Sequence, residues 1–83
     1  MSDKIKKYIT QDPEIKGGIP IINGTRVSVA EILDLLEGHN FVNAVIKNLR
    51  TEGVIVTEEE VSAALEYAKY SALNEALTKK NGK

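Results

Sequence analysis

The chain has 83 residues, no cysteine and a net charge of −1, which leaves room for one small hydrophobic core without disulfides. This charge excludes a domain that holds nucleic acid by charge alone, since such domains are usually basic. No apolar run approaches the roughly 18 residues of a membrane span, and no apolar signal-peptide region follows residues 1–7, so we expect a cytoplasmic protein of one domain that does not bind membranes.

The N-terminal third is predicted to be a β segment behind a flexible tail. Residues 1–7 are polar and predict the tail, and residues 8–27 form the predicted β segment. Residues 8–10 could form a short strand. A short strand needs a partner, and the hairpin that follows, from the same chain or a neighbouring one, is the expected partner.

The centre of this segment is Asn23-Gly24, a strong β-hairpin signal. Both central residues of a type I′ turn have positive φ, which Asn tolerates and Gly adopts freely. A two-residue turn of this type would place Ile22 opposite Thr25. We therefore assign Asn23 and Gly24 as structural turn residues.

Residues 28–78 are predicted to form three helices, the first over about 29–37. Ser28 and Glu31 have the spacing of a capping box, in which each side chain bonds the other residue's backbone N–H. Gly38 is expected to end this helix in a left-handed conformation. The apolar residues at helical spacing are Val29, Ile32, Leu33 and Leu36.

The two helices that follow have their own end signals. Asn40 is the predicted N-cap of the second helix, which Gly53 should end. A second capping box, Thr57 with Glu60, begins the third helix, which is predicted to run to about residue 77. Residues 79–83 are expected to form a flexible basic tail.

Catalytic and metal-binding patterns are missing from the sequence. His39 is the single histidine and falls in a predicted turn, where histidine is more often solvated than catalytic. No group of His, Cys, Asp and Glu has the spacing of a zinc site. We therefore expect neither an enzyme nor a metal or cofactor site.

Arg26 is the polar residue most suggestive of function. In the predicted register it lies opposite Ile21, so its stem can cover apolar surface while the guanidinium reaches outwards. It could bond a backbone carbonyl and lock the hairpin, or it could contact a phosphate or a partner's carboxylate. Lys47 and Arg50, on the second predicted helix, are further candidates for contact with a partner or DNA.

The third predicted helix has more apolar width than one intramolecular partner usually covers. Tyrosine is a favoured anchor in protein interfaces, and we expect a homodimer interface or a partner interface on this helix. The candidate interface residues are Tyr67, Tyr70, Leu73 and Leu77.

Two motifs give the chain a resemblance to a known family. One is Asp-Pro-Glu-Ile at 12–15, and the other is Gly-Thr-Arg-Val at 24–27, within a longer pattern over about residues 8–70. They resemble the prokaryotic domain-of-unknown-function family 433, described as antitoxins of the VapB type. The resemblance implies a mainly α, homeodomain-like or helix-turn-helix-like bundle of three helices behind a short strand and hairpin, commonly dimeric. It also implies pairing with a PIN-like ribonuclease toxin and binding to the protein's own operator DNA.

The residues favour protein recognition over DNA recognition. A helix-turn-helix reads DNA with the N-terminal residues of its recognition helix, and here those residues are Glu58, Glu59 and Glu60. Three carboxylates there would repel phosphates. The resemblance implies an antitoxin-like protein of a toxin–antitoxin pair, with a homodimeric interaction module that does not bind DNA as the alternative.

Overall fold

Four α-helices and a two-stranded antiparallel sheet make up the part of the chain that the structure describes. The computed structural model describes residues 2–39 and 41–81, and the side chains of residues 2–38 and 41–73. The elements are α1 (Asp3–Tyr8), β1 (Ile9–Thr10), a 3₁₀ turn (Lys16–Gly18), β2 (Ile21–Ile22), α2 (Val29–His39), α3 (Val42–Thr51) and α4 (Glu58–Asn81). The prediction of a mainly helical chain with a short β segment is confirmed.

Helix α1 lies where the sequence predicted a flexible tail. Ile5 is 2% exposed, and the Ser2 hydroxyl caps the helix by accepting from the Ile5 N–H at 3.2 Å. Ser2 also donates to the Glu66 carboxylate of α4 at 2.9 Å, and the Lys4 ammonium lies 3.5 Å from the same carboxylate. The predicted tail is therefore wrong over residues 3–7, because contacts with a distant helix order this segment.

The two strands pair within the chain. Ile9 lies opposite Ile22, and Thr10 lies opposite Ile21. On its other side Ile21 forms a bridge with Ser28, immediately before α2. The prediction that the hairpin segment pairs with the strand at residues 8–10 is confirmed. Both strands belong to the same chain.

The turn at Asn23-Gly24 is not of the predicted type. The Thr25 N–H donates to the Ile22 carbonyl at 3.0 Å, which closes a β-turn over residues 22–25. Gly24 has φ +82°, but Asn23 does not have positive φ. A type I′ turn requires positive φ at both positions, whereas positive φ at the third residue alone is typical of type II. The type I′ prediction is wrong.

The register of the hairpin also differs. The Ile22 N–H donates to the Val27 carbonyl at 2.9 Å, so Ile22 lies opposite Val27 and not opposite Thr25. Ile21 accordingly lies opposite Ser28 and not opposite Arg26. The cause is the Thr25 hydroxyl, which donates to the Ile22 carbonyl at 2.8 Å and accepts from the Val27 N–H at 3.0 Å. It holds residues 23–26 together as the loop.

Both predicted capping boxes are confirmed. The Ser28 N–H donates to the Glu31 carboxylate at 2.9 Å, and the Glu31 N–H donates to the Ser28 hydroxyl at 3.0 Å. The corresponding distances for Thr57 and Glu60 are 2.8 and 3.1 Å. Helix α4 then continues to Asn81, beyond the predicted end near residue 77 and into the predicted tail at 79–83. Residues 82 and 83 of that tail lie outside the described residues.

The helix ends follow the prediction at Gly53 but not at Gly38. The Gly53 N–H bonds the Arg50 carbonyl, the Val54 N–H bonds the Leu49 carbonyl, and Gly53 has φ +83°, which together form a Schellman motif. Gly38 lies inside α2 without positive φ, so its predicted role is wrong.

Helix α3, which is the second of the three predicted helices, starts one residue later than the predicted N-cap implies. Phe41 is the N-cap of α3 and makes no side-chain capping bond. Its carbonyl accepts from the Val45 N–H at 3.2 Å. Asn40, the predicted N-cap, lies outside the described residues.

Helix α4 is the element on which the others pack. It contacts α1, α2, α3 and β1, and its 24 residues span about 36 Å. Among the described residues, no helix is long and apolar enough to cross a membrane. The buried core consists of Ile5, Ile9, Ile22, Val27, Val29, Ile32, Val45, Leu49, Val56, Val61, Ala63 and Ala64.

Candidate protein-interaction surface

An open apolar groove of about 330 Å³ runs between α2 and α4. Pro20 and three residues of α2 line it on one side, and four residues of α4 line it on the other. The α2 residues that line it come from the first turn and a half of that helix, and the α4 residues lie between positions 67 and 72. We call this the α2–α4 groove; its residues are Pro20, Val29, Ala30, Leu33, Tyr67, Ala68, Ser71 and Ala72.

Leu33 is a residue of this groove that the sequence analysis did not name as an interface candidate. It shares the predicted apolar stripe of α2 with Ile32, which is buried. Leu33 itself is 39% exposed and lines the groove. The helical spacing placed both residues in one stripe but did not separate the buried position from the exposed one.

Among the predicted interface residues whose side chains are described, Tyr67 alone lines the groove, where it is half-buried against the core. Tyr70 is 40% exposed, and helical geometry places it about 60° around the axis from Tyr67, on the adjoining face of α4. Leu73 is 61% exposed and lies on the side of α4 that faces away from the groove. The side chain of Leu77 lies outside those described. The roles of these four residues as interface positions stay predictions.

The predicted cationic contact residues are dispersed. Lys47 and Arg50 are exposed on α3. Arg26 is exposed in the loop before α2, where its guanidinium bonds no described residue. The structural interpretation of Arg26, a bond that locks the hairpin, therefore has no support among the described contacts. In the same loop, the locking bonds come from the hydroxyl of Thr25, which the sequence analysis did not single out.

The N-terminal end of α4 carries negative charge. Glu58, Glu59 and Glu60 occupy its first turn, where carboxylates interact favourably with the helix dipole. The Glu60 carboxylate accepts the Thr57 N–H in the capping box, whereas Glu58 and Glu59 are exposed. This end of α4 can accept cationic groups of a partner but repels phosphates.

A family model described as "Protein of unknown function (DUF433)" matches residues 9–68. The chain belongs to the DUF433 family. The matched range contains the strands, the Arg26 loop, α2, α3 and the part of α4 up to Ala68, whereas α1 precedes it and the rest of α4 follows it. No curated protein and no solved structure matches the chain significantly.

Proposed function

We propose that this DUF433 protein is a non-catalytic, antitoxin-like recognition protein that acts in the cytoplasm as a homodimer and binds a PIN-like ribonuclease toxin. The observation that carries the recognition part is the α2–α4 groove. Contiguous apolar surface that is open to solvent on a small protein is a candidate interaction site. The toxin as partner rests on the family resemblance of the Asp-Pro-Glu-Ile and Gly-Thr-Arg motifs.

The groove is the centre of the proposed homodimer interface, and the adjoining face of α4 extends it. A stable interface buries about 800 Å² on each partner, which is more than the groove alone offers. Tyr70, exposed on the adjoining face of α4, supplies additional apolar area. Tyrosine and leucine at the centre with polar residues around them is the composition expected of such an interface.

In the proposed protein, α2, α3 and α4 form a homeodomain-like arrangement that does not recognise DNA. The N-terminal end of α4, which would enter the major groove, carries Glu58, Glu59 and Glu60, and carboxylates there oppose the phosphates that supply most nonspecific affinity. The exposed cations Lys47 and Arg50 lie on α3. The homodimeric module without DNA binding is accordingly the second candidate.

Co-purification separates the antitoxin proposal from the plain homodimer. The tagged protein is recovered from its native host at physiological salt, and the proteins that accompany it are identified by mass spectrometry. A small PIN-like nuclease in stoichiometric amount is the expected result, with much less of it accompanying a Tyr70→Glu variant. Recovery of the protein with itself alone would contradict the toxin partner and leave the homodimeric module.

A further inference from the structure

A second cleft, separate from the α2–α4 groove, lies where the loop before α2 meets the connection between α3 and α4. It has a volume of about 360 Å³ and is lined by Gly24, Thr25, Arg26, Gly53, Val54 and Ile55. We call it the Arg26 cleft. Its two walls come from segments nearly 30 residues apart in the chain, so no local sequence signal marks it.

The conformations of the two glycines keep the cleft open. Gly24 and Gly53 have φ of +82° and +83°, a region that residues with a Cβ rarely adopt. A Cβ built on either glycine would meet no atom within 4 Å. Glycine is thus required by the backbone at both positions, and the space beside it is accessible.

One wall of the cleft offers a charge without a partner. Two lysines near the N-terminus, Lys4 and Lys16, are paired with Glu66 and Glu31. The Arg26 guanidinium bonds no residue in the described part of the chain, and no carboxylate lines the cleft there. A guanidinium in this state binds a carboxylate through two parallel N–H bonds.

The other wall offers apolar surface and unpaired backbone. Ile55 is 69% exposed although Val56 beside it is buried. The N–H and the carbonyl of Ile55 make no hydrogen bond with any residue that the structure describes. An extended peptide can pair with such a backbone as an added strand, and its alternate side chains then fall on either side.

From these two walls we infer that the Arg26 cleft binds an extended segment of a partner protein in which an acidic side chain neighbours an aliphatic one. The carboxylate bonds Arg26, the aliphatic side chain packs on Ile55, and the segment's backbone pairs with that of Ile55. A nucleic acid would need several cations along its backbone or an aromatic platform for its bases, whereas the described lining contains one cation and no aromatic side chain. This inference does not require the α2–α4 groove to be an interface.

The test is a titration of the ¹⁵N-labelled full chain, followed by NMR, with an acetylated and amidated pentapeptide of alternating valine and glutamate. Amide shifts should concentrate at residues 24–26 and 53–55. The same peptide with glutamine in place of glutamate should bind at least about fivefold more weakly, as should the Arg26→Gln variant with the original peptide. Arg26→Lys should recover only part of the affinity, because an ammonium cannot form the paired bonds.

Lys6→Gln is the matched control, since it removes one exposed cation from α1 outside the cleft. It should leave the affinity unchanged. Equal losses in Arg26→Gln and Lys6→Gln, shifts centred elsewhere, or no binding of the glutamate peptide would each overturn the inference. Shifts at residues 24–26 and 53–55 with a short single-stranded oligonucleotide but not with the peptide would also overturn it and assign the cleft to phosphate.

Discussion

The ammonium of Lys16 bonds the same Glu31 carboxylate that accepts from the Ser28 N–H in the capping box of α2. Lys16 lies in the 3₁₀ turn between the strands, so one carboxylate joins that turn to the start of α2. Burial alone would raise the pKa of Glu31, but the bonds from Lys16 and from Ser28 together hold its pKa below the ordinary value for a glutamate. The capping box is therefore also a tertiary contact.

Glu31→Gln should lower stability in a pH-dependent way. The pKa of Glu31 is lower in the folded than in the unfolded chain, so its ionised form stabilises the fold above pH about 4.5, and this contribution is lost as the pH falls through the folded pKa. Glutamine keeps the capping geometry and removes the charge. Urea unfolding at pH 7 should show a loss of up to about 1 kcal/mol, as for other exposed ion pairs, and this loss should shrink as the pH falls below about 4.5.

Lys16→Gln is the control for that effect, because it removes the same ion pair from the other side. It should show the same direction of change at pH 7. A difference between wild type and Glu31→Gln that stayed constant from pH 7 to pH 3 would contradict the role of the charge.

Alanine should have opposite effects at two glycines. Gly53→Ala places a Cβ at φ +83° in the Schellman motif and should destabilise the protein by about 1–2 kcal/mol. Gly38→Ala lies inside α2, where a Cβ meets no atom within 4 Å, and should stabilise by about 0.4–1 kcal/mol. Thermal unfolding of both variants measures this, and a destabilised Gly38→Ala would contradict the helical assignment of that position.

Ile5→Ala tests whether α1 is part of the folded core. Ile5 is 2% exposed, so its truncation should cost about 2–4 kcal/mol in urea unfolding. Lys6→Ala, on the exposed side of the same helix, should change stability by less than about 0.5 kcal/mol. If both substitutions proved neutral, residues 3–8 would not pack on α4.

Thr25→Ala and Arg26→Ala separate structure from recognition in one loop. The Thr25 hydroxyl makes two hydrogen bonds across the turn, and its loss should cost about 1 kcal/mol. Arg26→Ala should leave the melting temperature nearly unchanged and weaken partner binding. A larger loss of stability in Arg26→Ala than in Thr25→Ala would instead support the interpretation that its guanidinium locks the hairpin.

Local signals in the sequence predicted local structure well. The capping boxes at Ser28 and Thr57 and the stop at Gly53 depend on residues three to five positions apart, so composition and spacing suffice to identify them. Asn23-Gly24 located the turn, but the hydroxyl of the next residue changed its type and register. The chemistry of Thr25 was visible in the sequence, although its hydrogen-bond partners were not.

The features that the sequence did not predict, helix α1 and the two candidate surfaces, depend on contacts between residues far apart in the chain. Helix α1 is held by a bond between residues 64 positions apart, Ser2 and Glu66, and no local pattern signals such a contact. The same holds for the candidate surfaces. Leu33 shares its helical spacing with the buried Ile32 but lines the α2–α4 groove, and the Arg26 cleft depends on the meeting of two distant loops.

Light scattering coupled to size-exclusion chromatography tests the central claim, that the α2–α4 groove and the adjoining face of α4 form a protein interface. Wild type at tens of micromolar should show twice the 9.1 kDa mass of one chain. Leu33→Glu and Tyr70→Glu should show the mass of one chain with helical content unchanged, because a buried carboxylate without a partner is costly, and Lys47→Glu should stay dimeric. A wild type with the mass of one chain, or variants that remain dimeric, would contradict this interface.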